Sequence, residues 1–206
     1  MEWYEEEVQA LERARSTNGT PLNPFVFYGS SSIRLWTTLA QDFPTLKPLN
    51  LGFGGSTLEA CVWFFERLIV PYRPRYLVVY AGDNDLGDGQ PADNVIRSFR
   101  ALVDKIKTHL GETPVSFMSI KPSPARMDLL DAIIYTNQTI KAEIARNNTL
   151  HYVDIFHAML DDNRQPRQEL YAEDGLHLSP AGYRLWKHIL TAHLFPDQRG
   201  SVDRRP

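Results

Sequence analysis

Two polar turns of this chain hold the residue types that nucleophilic catalysis needs. The first, Gly29-Ser30-Ser31-Ser32, follows a short apolar run near the N-terminus. A serine between a strand and a helix can expose its hydroxyl while its backbone N–H faces a reacting oxygen, and the helix dipole adds positive potential there. The same serines could instead simply cap the helix. Taken alone, the turn favours the capping interpretation.

The second turn, near the C-terminus, places Asp174 three residues before His177. In a loop ahead of a helix, this spacing lets the carboxylate accept the ring N–H, which fixes the tautomer and leaves the other ring nitrogen as a base. An isolated pair of this kind is more often a polar surface turn. Such a partner is not expected for the other five histidines, which are His109, His151, His157, His188 and His193.

Two further loops contain groups that could serve a reaction centre. Asn50-Leu51-Gly52-Phe53-Gly54-Gly55-Ser56-Thr57 has the glycines that let backbone N–H groups approach an anion. Its pattern matches neither the dinucleotide nor the Walker phosphate motif. Gly82-Asp83-Asn84-Asp85 could present an asparagine amide, or it could be only a turn. It fits a calcium loop poorly, because its twelfth position is Asn94 instead of glutamate.

The segments around these loops alternate between strand-like and helix-like patterns. We expect strands at residues 25–28, 46–51, 75–80, 115–120 and 150–155, and helices at 2–16, 32–41, 56–69, 91–109, 126–147 and from Ser179-Pro180 onward. This alternation predicts an α/β fold with a parallel sheet covered by helices on both faces. Ligands of such sheets bind beyond the carboxyl ends of the strands, where the first three loops begin.

Length and composition exclude several classes of protein. The 206 residues predict one domain, 1–206, with an N-terminal helix and lead-in at 1–20 and a flexible tail at 197–206. The net charge of -3, with no basic cluster beyond Arg204 and Arg205, argues against nucleic-acid binding. The single cysteine, Cys61, is expected to be a buried hydrophobe. No run approaches the roughly 20 apolar residues of a membrane span, and no signal-peptide pattern opens the chain, so we expect a cytoplasmic protein.

The four loops together are more specific than any one of them. G-x-S follows the first strand, N-x-x-x-x-G-x-T the second, G-x-N-D the third, and D-x-x-H precedes the last helix. This order resembles the block layout of the SGNH (GDSL-like) hydrolases over residues 25–190. The resemblance implies a flavodoxin-like three-layer α/β/α sandwich with a five-stranded parallel sheet. It also implies a serine ester hydrolase without a metal or organic cofactor.

Matched block by block, the resemblance implies roles for five residues. Ser31 would be the nucleophile, His177 the general base and Asp174 the acid that orients it. The oxyanion donors would be the N–H of Ser31, the N–H of Gly55 and the side-chain amide of Asn84. The implied partner is a small-molecule ester, carrying a short acyl or acetyl group and including acetylated sugars. A lysophospholipase or thioesterase, and a non-catalytic acyl-sugar binding domain, are alternatives, and a homo-oligomer stays open.

The chain also departs from the family pattern. Ser30 stands where the family has aspartate and Ser32 where it has leucine, so either could replace Ser31 as the nucleophile. Asp83 replaces a threonine and, if close enough, would raise the pKa of His177. The segment Trp63-Phe64-Phe65 could line an acyl groove, although a core or subunit contact is the better expectation.

Overall fold

Five parallel strands form a single sheet in the computed structural model, which describes residues 1–196. The strand order is β2-β1-β3-β4-β5, which is the flavodoxin-like order. The predicted α/β fold class is therefore confirmed. The predicted tail at 197–206, including Arg204 and Arg205, lies outside the described residues. The strands are β1 Phe25–Gly29, β2 Leu49–Gly52, β3 Tyr76–Tyr80, β4 Val115–Met118 and β5 Leu150–Val153.

Helices cover both faces of this sheet and bury a core on each side. The first core holds the apolar faces of α1, α4, α6 and α7, and the second holds those of α2, α3 and α8. The helices are α1 Glu5–Asn18, α2 Ser31–Arg34, α3 Leu39–Asp42, α4 Leu58–Leu68, α5 Asp83–Gly87, α6 Ala92–Leu110, α7 Leu130–Ile144 and α8 Pro180–Leu194.

The central strand β1 shows why the strands read as continuous apolar runs. Val26 and Tyr28 point into the first core, whereas Phe25 and Phe27 point into the second. Successive strand side chains alternate between faces, and both faces of this sheet are covered, so every position must be apolar. Because β1 packs against both cores, its carboxyl end at the rim of the sheet is held rigidly.

Three predicted helices differ from the structure. The helix expected at 2–16 begins with a 3-10 turn, Glu2–Tyr4, which precedes α1. The segment 32–41 forms two short helices, because Asp42 accepts hydrogen bonds from the Trp36 indole at 2.8 Å and the Thr38 hydroxyl at 2.6 Å, which fold the chain between them into a turn. The predicted helix 126–147 begins with a separate 3-10 turn, Pro124–Leu129, in which Arg126 has a non-helical backbone.

No helix within residues 1–196 combines the length and the apolarity that crossing a bilayer requires.

Candidate active site

The turn after β1 exposes one serine and buries its neighbours. Gly29 has a φ of 138°, and a Cβ at this position would overlap the carbonyl oxygen of Tyr80 on β3. Only glycine therefore allows the close strand contact from which α2 starts. Ser30 and Ser32 are each 2% exposed, whereas Ser31, the first residue of α2, is only partly buried. Of the three serines, Ser31 is the one whose side chain reaches the rim.

The His177 ring joins Ser31 to Asp174 although the serine and the histidine lie far apart in the chain. Its Nε2 is 3.1 Å from the Ser31 hydroxyl oxygen, and its Nδ1 is 2.6 Å from Asp174 Oδ2. Since an ionised carboxylate only accepts hydrogen bonds, Nδ1 carries a proton and Nε2 is the acceptor for the serine hydroxyl. This is the arrangement in which an imidazole can take the proton of a nucleophile.

The loop that carries Asp174 holds this carboxylate ionised. Its Oδ1 accepts the backbone N–H groups of Leu176 and His177, each at 2.9 Å. The hydrogen bond from the His177 ring, followed by that from the Leu176 N–H, lowers the pKa of Asp174 to about 2. The loop is closed by the Ala172 N–H, which donates to the His177 carbonyl at 2.8 Å.

The glycine loop after β2 is tied to the helix of the nucleophile. The Asn50 amide donates to the Ile33 carbonyl of α2 at 2.6 Å and accepts from the Gly52 N–H at 3.0 Å. A Cβ on Gly52 would overlap the backbone nitrogen of Arg34, so glycine is needed for this approach. Gly55, farther along the loop, is exposed and has a φ of 65°.

Asn84, at the start of α5, reaches the same loop with its side chain. Its Nδ2 donates to the Ser56 carbonyl at 3.0 Å, and its Oδ1 accepts from Arg126 Nη2 at 3.1 Å. The guanidinium contains only donors, so this second contact fixes which end of the amide faces the glycine loop. An amide nitrogen carries two protons, and the one not bound to Ser56 can serve a ligand.

Asp83 belongs to a buried cluster of charges beneath Asn84. Its carboxylate is 4% exposed, pairs with Lys121 and lies 2.6 Å from Arg126 Nη1. Burial alone would raise the pKa of Asp83, but the two cations hold it below its ordinary value. No hydrogen bond or ion pair joins Asp83 to His177 within residues 1–196.

Lys121 and Arg126 are site residues that the sequence analysis missed. Lys121 follows β4, which lies beside β3, and its side chain is 1% exposed. A signal was present in the sequence, because an aspartate at the end of a buried strand needs a cationic partner. Asp85 is a third omission: its carboxylate accepts the Leu58 N–H at 2.7 Å and so caps α4.

One expectation about the histidines was wrong. His157 does have an acidic partner at the same spacing, since its Nδ1 lies 2.8 Å from Asp154 Oδ2. This pair sits on the surface, where the His157 side chain is 77% exposed. Within residues 1–196, no hydrogen bond connects the second ring nitrogen to a hydroxyl. The spacing alone therefore does not mark a catalytic pair, and the neighbouring serine distinguishes His177.

Comparisons with known proteins identify the family of this chain. Residues 17–185 match the GDSL-like Lipase/Acylhydrolase family. A GDSL esterase/lipase, WDL1 from Oryza sativa subsp. japonica, is 26% identical over 198 residues, which cover 81% of this chain and 75% of that protein.

Solved structures show the same fold. A protein of Streptococcus pneumonia, provisionally described as a platelet activating factor, has a TM-score of 0.80 at 22% identity and covers 93% of both chains. A GDSL-like lipase from Bacteroides thetaiotaomicron has a TM-score of 0.75 at 20% identity, over 90% of this chain and 98% of that one. Since the family match spans most of the sequence, the chain belongs to the GDSL-like lipase/acylhydrolase family and is a carboxylic ester hydrolase.

Proposed function

We propose that the protein is a serine esterase that acts through Ser31, His177 and Asp174. The observation that carries this proposal is the continuous hydrogen-bonded chain from the Ser31 hydroxyl through the imidazole to the Asp174 carboxylate, with distances of 3.1 Å and 2.6 Å. A positioned base next to a serine hydroxyl at a helix N-terminus activates the oxygen as a nucleophile. Nothing in a non-catalytic acyl-sugar binding domain would require this chain of contacts.

The reaction proceeds through an acyl-enzyme. His177 Nε2 takes the Ser31 proton while the serine oxygen bonds to the ester carbonyl carbon, and the carbonyl π electrons move onto its oxygen. The N–H groups of Ser31 and Gly55 and the amide of Asn84 receive this oxyanion. When the intermediate collapses, the protonated His177 gives its proton to the departing alcohol. His177 then takes a proton from water while the water oxygen bonds to the acyl carbon. The bond between this carbon and the serine oxygen breaks, which releases the acid, and His177 returns the proton to Ser31.

The structure around the proposed site favours short acyl and acetyl esters as substrates, including those of sugars. A long acyl chain needs an apolar groove. The sequence analysis considered the aromatic residues of α4 as a possible lining of such a groove. Phe64 and Phe65 instead lie in the first core and are fully buried, leaving Trp63 as the exposed aromatic side chain of that helix. This burial argues against the lysophospholipase or thioesterase alternative, because α4 has little apolar surface left to offer an acyl chain.

Labelling with a fluorophosphonate tests the nucleophile. The reagent forms a covalent bond with an activated serine, so the unmodified protein and Ser32→Ala should be labelled and should hydrolyse p-nitrophenyl acetate. Ser31→Ala should lose both properties. Ser30→Ala, which changes the serine that precedes Ser31, is a second control and should retain much of the activity. Full activity or full labelling of Ser31→Ala would remove the basis of the assignment.

A series of p-nitrophenyl esters tests the substrate class. We expect kcat/KM to be highest for the acetate and butyrate and to fall for the octanoate and laurate, since α4 leaves Trp63 as its one exposed aromatic side chain to receive the added methylenes. Hydrolysis of acetylated xylose is then compared with hydrolysis of lysophosphatidylcholine, because these represent the two classes of natural substrate. A kcat/KM that rises with chain length, or preferred hydrolysis of the lysophospholipid, would contradict the short-chain proposal and favour the alternative.

A further inference from the structure

The N-terminal helix contacts the glycine loop from outside the region that defines the family. The match begins at residue 17, whereas α1 begins at Glu5. The Tyr4 hydroxyl, just before α1, donates to the Gly55 carbonyl at 3.2 Å. The Glu7 carboxylate accepts the Gly54 N–H at 2.7 Å. A Cβ on Gly54 would lie 2.7 Å from Glu7 Oε1, so a larger residue there would displace this carboxylate.

Glu7 also reaches the helix of the nucleophile. Its Oε1 lies 3.5 Å from Arg34 Nη1, and Arg34 ends the four-residue helix that Ser31 begins. One carboxylate thus contacts both the loop that presents Gly55 and the helix that presents Ser31. The two oxyanion donors supplied by the backbone are held relative to each other through this side chain.

The position of α1 does not depend on Glu7. Arg67 of α4 pairs with Glu5 at 2.9 Å and with Glu12 at 2.7 Å. The Arg15 guanidinium donates to the Arg67 carbonyl at 2.8 Å. The Tyr4 ring packs edge-on against Phe53, with ring centroids 5.5 Å apart. Removing the Glu7 carboxylate should therefore leave α1 in place and remove only the contacts of this side chain with Gly54 and Arg34.

These contacts bracket one peptide group. The N–H of Gly55 belongs to the peptide between Gly54 and Gly55, and the anchored groups, the Gly54 N–H and the Gly55 carbonyl, lie on its two sides. Glycine has no Cβ to restrict its backbone, so this peptide would otherwise rotate with little resistance. In the rotated form a carbonyl oxygen would face the oxyanion in place of the N–H.

We propose that Tyr4 and Glu7 are positioning residues that hold the Gly55 N–H toward the oxyanion. The inference rests on the proposed esterase function, in which this N–H is a donor. It makes the segment before the family region a working part of the active site. The predicted effect lies in the transition state, because the negative oxygen forms only there.

The experiment compares Glu7→Ala with Glu6→Ala, which removes the same charge from the same helix at an exposed residue that has no hydrogen-bond or ion-pair partner within residues 1–196. Tyr4→Phe, which removes one hydroxyl, is the milder second variant. We expect Glu7→Ala to lower kcat by between about tenfold and a hundredfold with KM nearly unchanged. Its affinity for an alkylboronic acid, which forms a tetrahedral adduct with the serine, should fall in parallel. Glu6→Ala should match the unmodified protein.

The outcomes separate this inference from the esterase proposal. If Glu7→Ala and Tyr4→Phe keep full kcat and boronate affinity while Ser31→Ala is inactive, the positioning role is wrong and the esterase stands. A change confined to KM would also overturn the inference. If Glu7→Ala does not fold, Tyr4→Phe decides by the same two readouts. Full activity of Ser31→Ala would overturn the esterase proposal itself.

Discussion

At the scale of single residues, the proposed chemistry depends on a carboxylate that stays charged. The hydrogen bond from the His177 ring and that from the Leu176 N–H lower the pKa of Asp174 from 3.8 to about 2. Because the pKa is lower in the folded protein, the stabilising contribution is fully present above about pH 4 and is lost as the pH falls toward 2. Over the ordinary pH range of assays, Asp174 is therefore a carboxylate.

We expect kcat/KM for p-nitrophenyl acetate to fall at acid pH with the slope of a single proton, because protonated His177 cannot act as a base. A profile from pH 4 to 9 measures this slope. His157→Gln, which removes the exposed histidine of the second Asp–His pair, should leave the profile unchanged. A slope of two protons would show that Asp174 titrates as well, and a flat profile down to pH 4 would exclude a histidine base.

In the proposed mechanism, the Asn84 side chain donates a hydrogen bond that reaches its full strength only in the transition state. We expect Asn84→Ala to lower kcat by a factor of about 10² to 10³, which is the usual cost of removing one oxyanion donor. Asn94→Ala, in α6 and bonded to the Gln90 side chain, is the matched control. Steady-state kinetics with both variants measure the difference. Equal kcat values for the two variants would contradict the role of Asn84.

At the scale of elements, the sequence predicted the positions of the loops better than the side-chain contacts that hold them. Hydrophobic runs located all five strands, and Ser31, Asn84 and His177 follow from residue types at the strand ends and before the last helix. The contacts of Glu7 with Gly54 and of Arg126 with Asn84 could not be predicted in this way, because they join residues more than 40 positions apart through long side chains. The break between α2 and α3 was missed because Trp36 and Leu39 also fit a helical spacing.

The buried cluster beneath Asn84 should show strong coupling between its members. We expect Asp83→Thr to lower the free energy of unfolding by about 3–5 kcal/mol, because it leaves Lys121 buried without its anion. The double variant Asp83→Thr/Lys121→Met should recover most of this loss, since both buried charges are then gone and Arg126 keeps its bond to Asn84. Urea unfolding of each variant measures these differences.

A matched substitution at the surface measures how much the loss of an ordinary ion pair lowers the free energy of unfolding. The coupling between Asp83 and Lys121 is compared with that value. Lys105 pairs with Glu66 at 2.6 Å, and both side chains are partly exposed. Lys105→Met should therefore cost less than about 1 kcal/mol. If the double variant in the cluster were as unstable as the sum of its single variants, the three side chains would not form a unit.

At the scale of the whole molecule, one sheet connects two cores. The apolar side chains of β1 and β3 alternate between the cores, so neither core can lose its packing without disturbing strands that serve the other. The proposed catalytic residues come from both sides, since α2 and the loop before α8 lie with the second core and the glycine loop leads into α4 of the first. Chain length predicts a single domain, and this shared sheet gives a physical reason to expect the two sides to unfold together.

Cooperative unfolding tests that prediction. Leu68 of α4 lies in the first core and Leu190 of α8 in the second, and both are almost fully buried. We expect Leu68→Ala and Leu190→Ala each to lower the free energy of unfolding by about 2–5 kcal/mol. Their effects should add, because the sheet separates the two sites. Leu22→Ala, at a side chain that is 93% exposed, should change stability by less than about 0.5 kcal/mol. Urea unfolding followed by tryptophan fluorescence and by circular dichroism should give one transition for every variant. Two separated transitions, with each leucine variant shifting only one of them, would mean that the two sides of the sheet unfold independently.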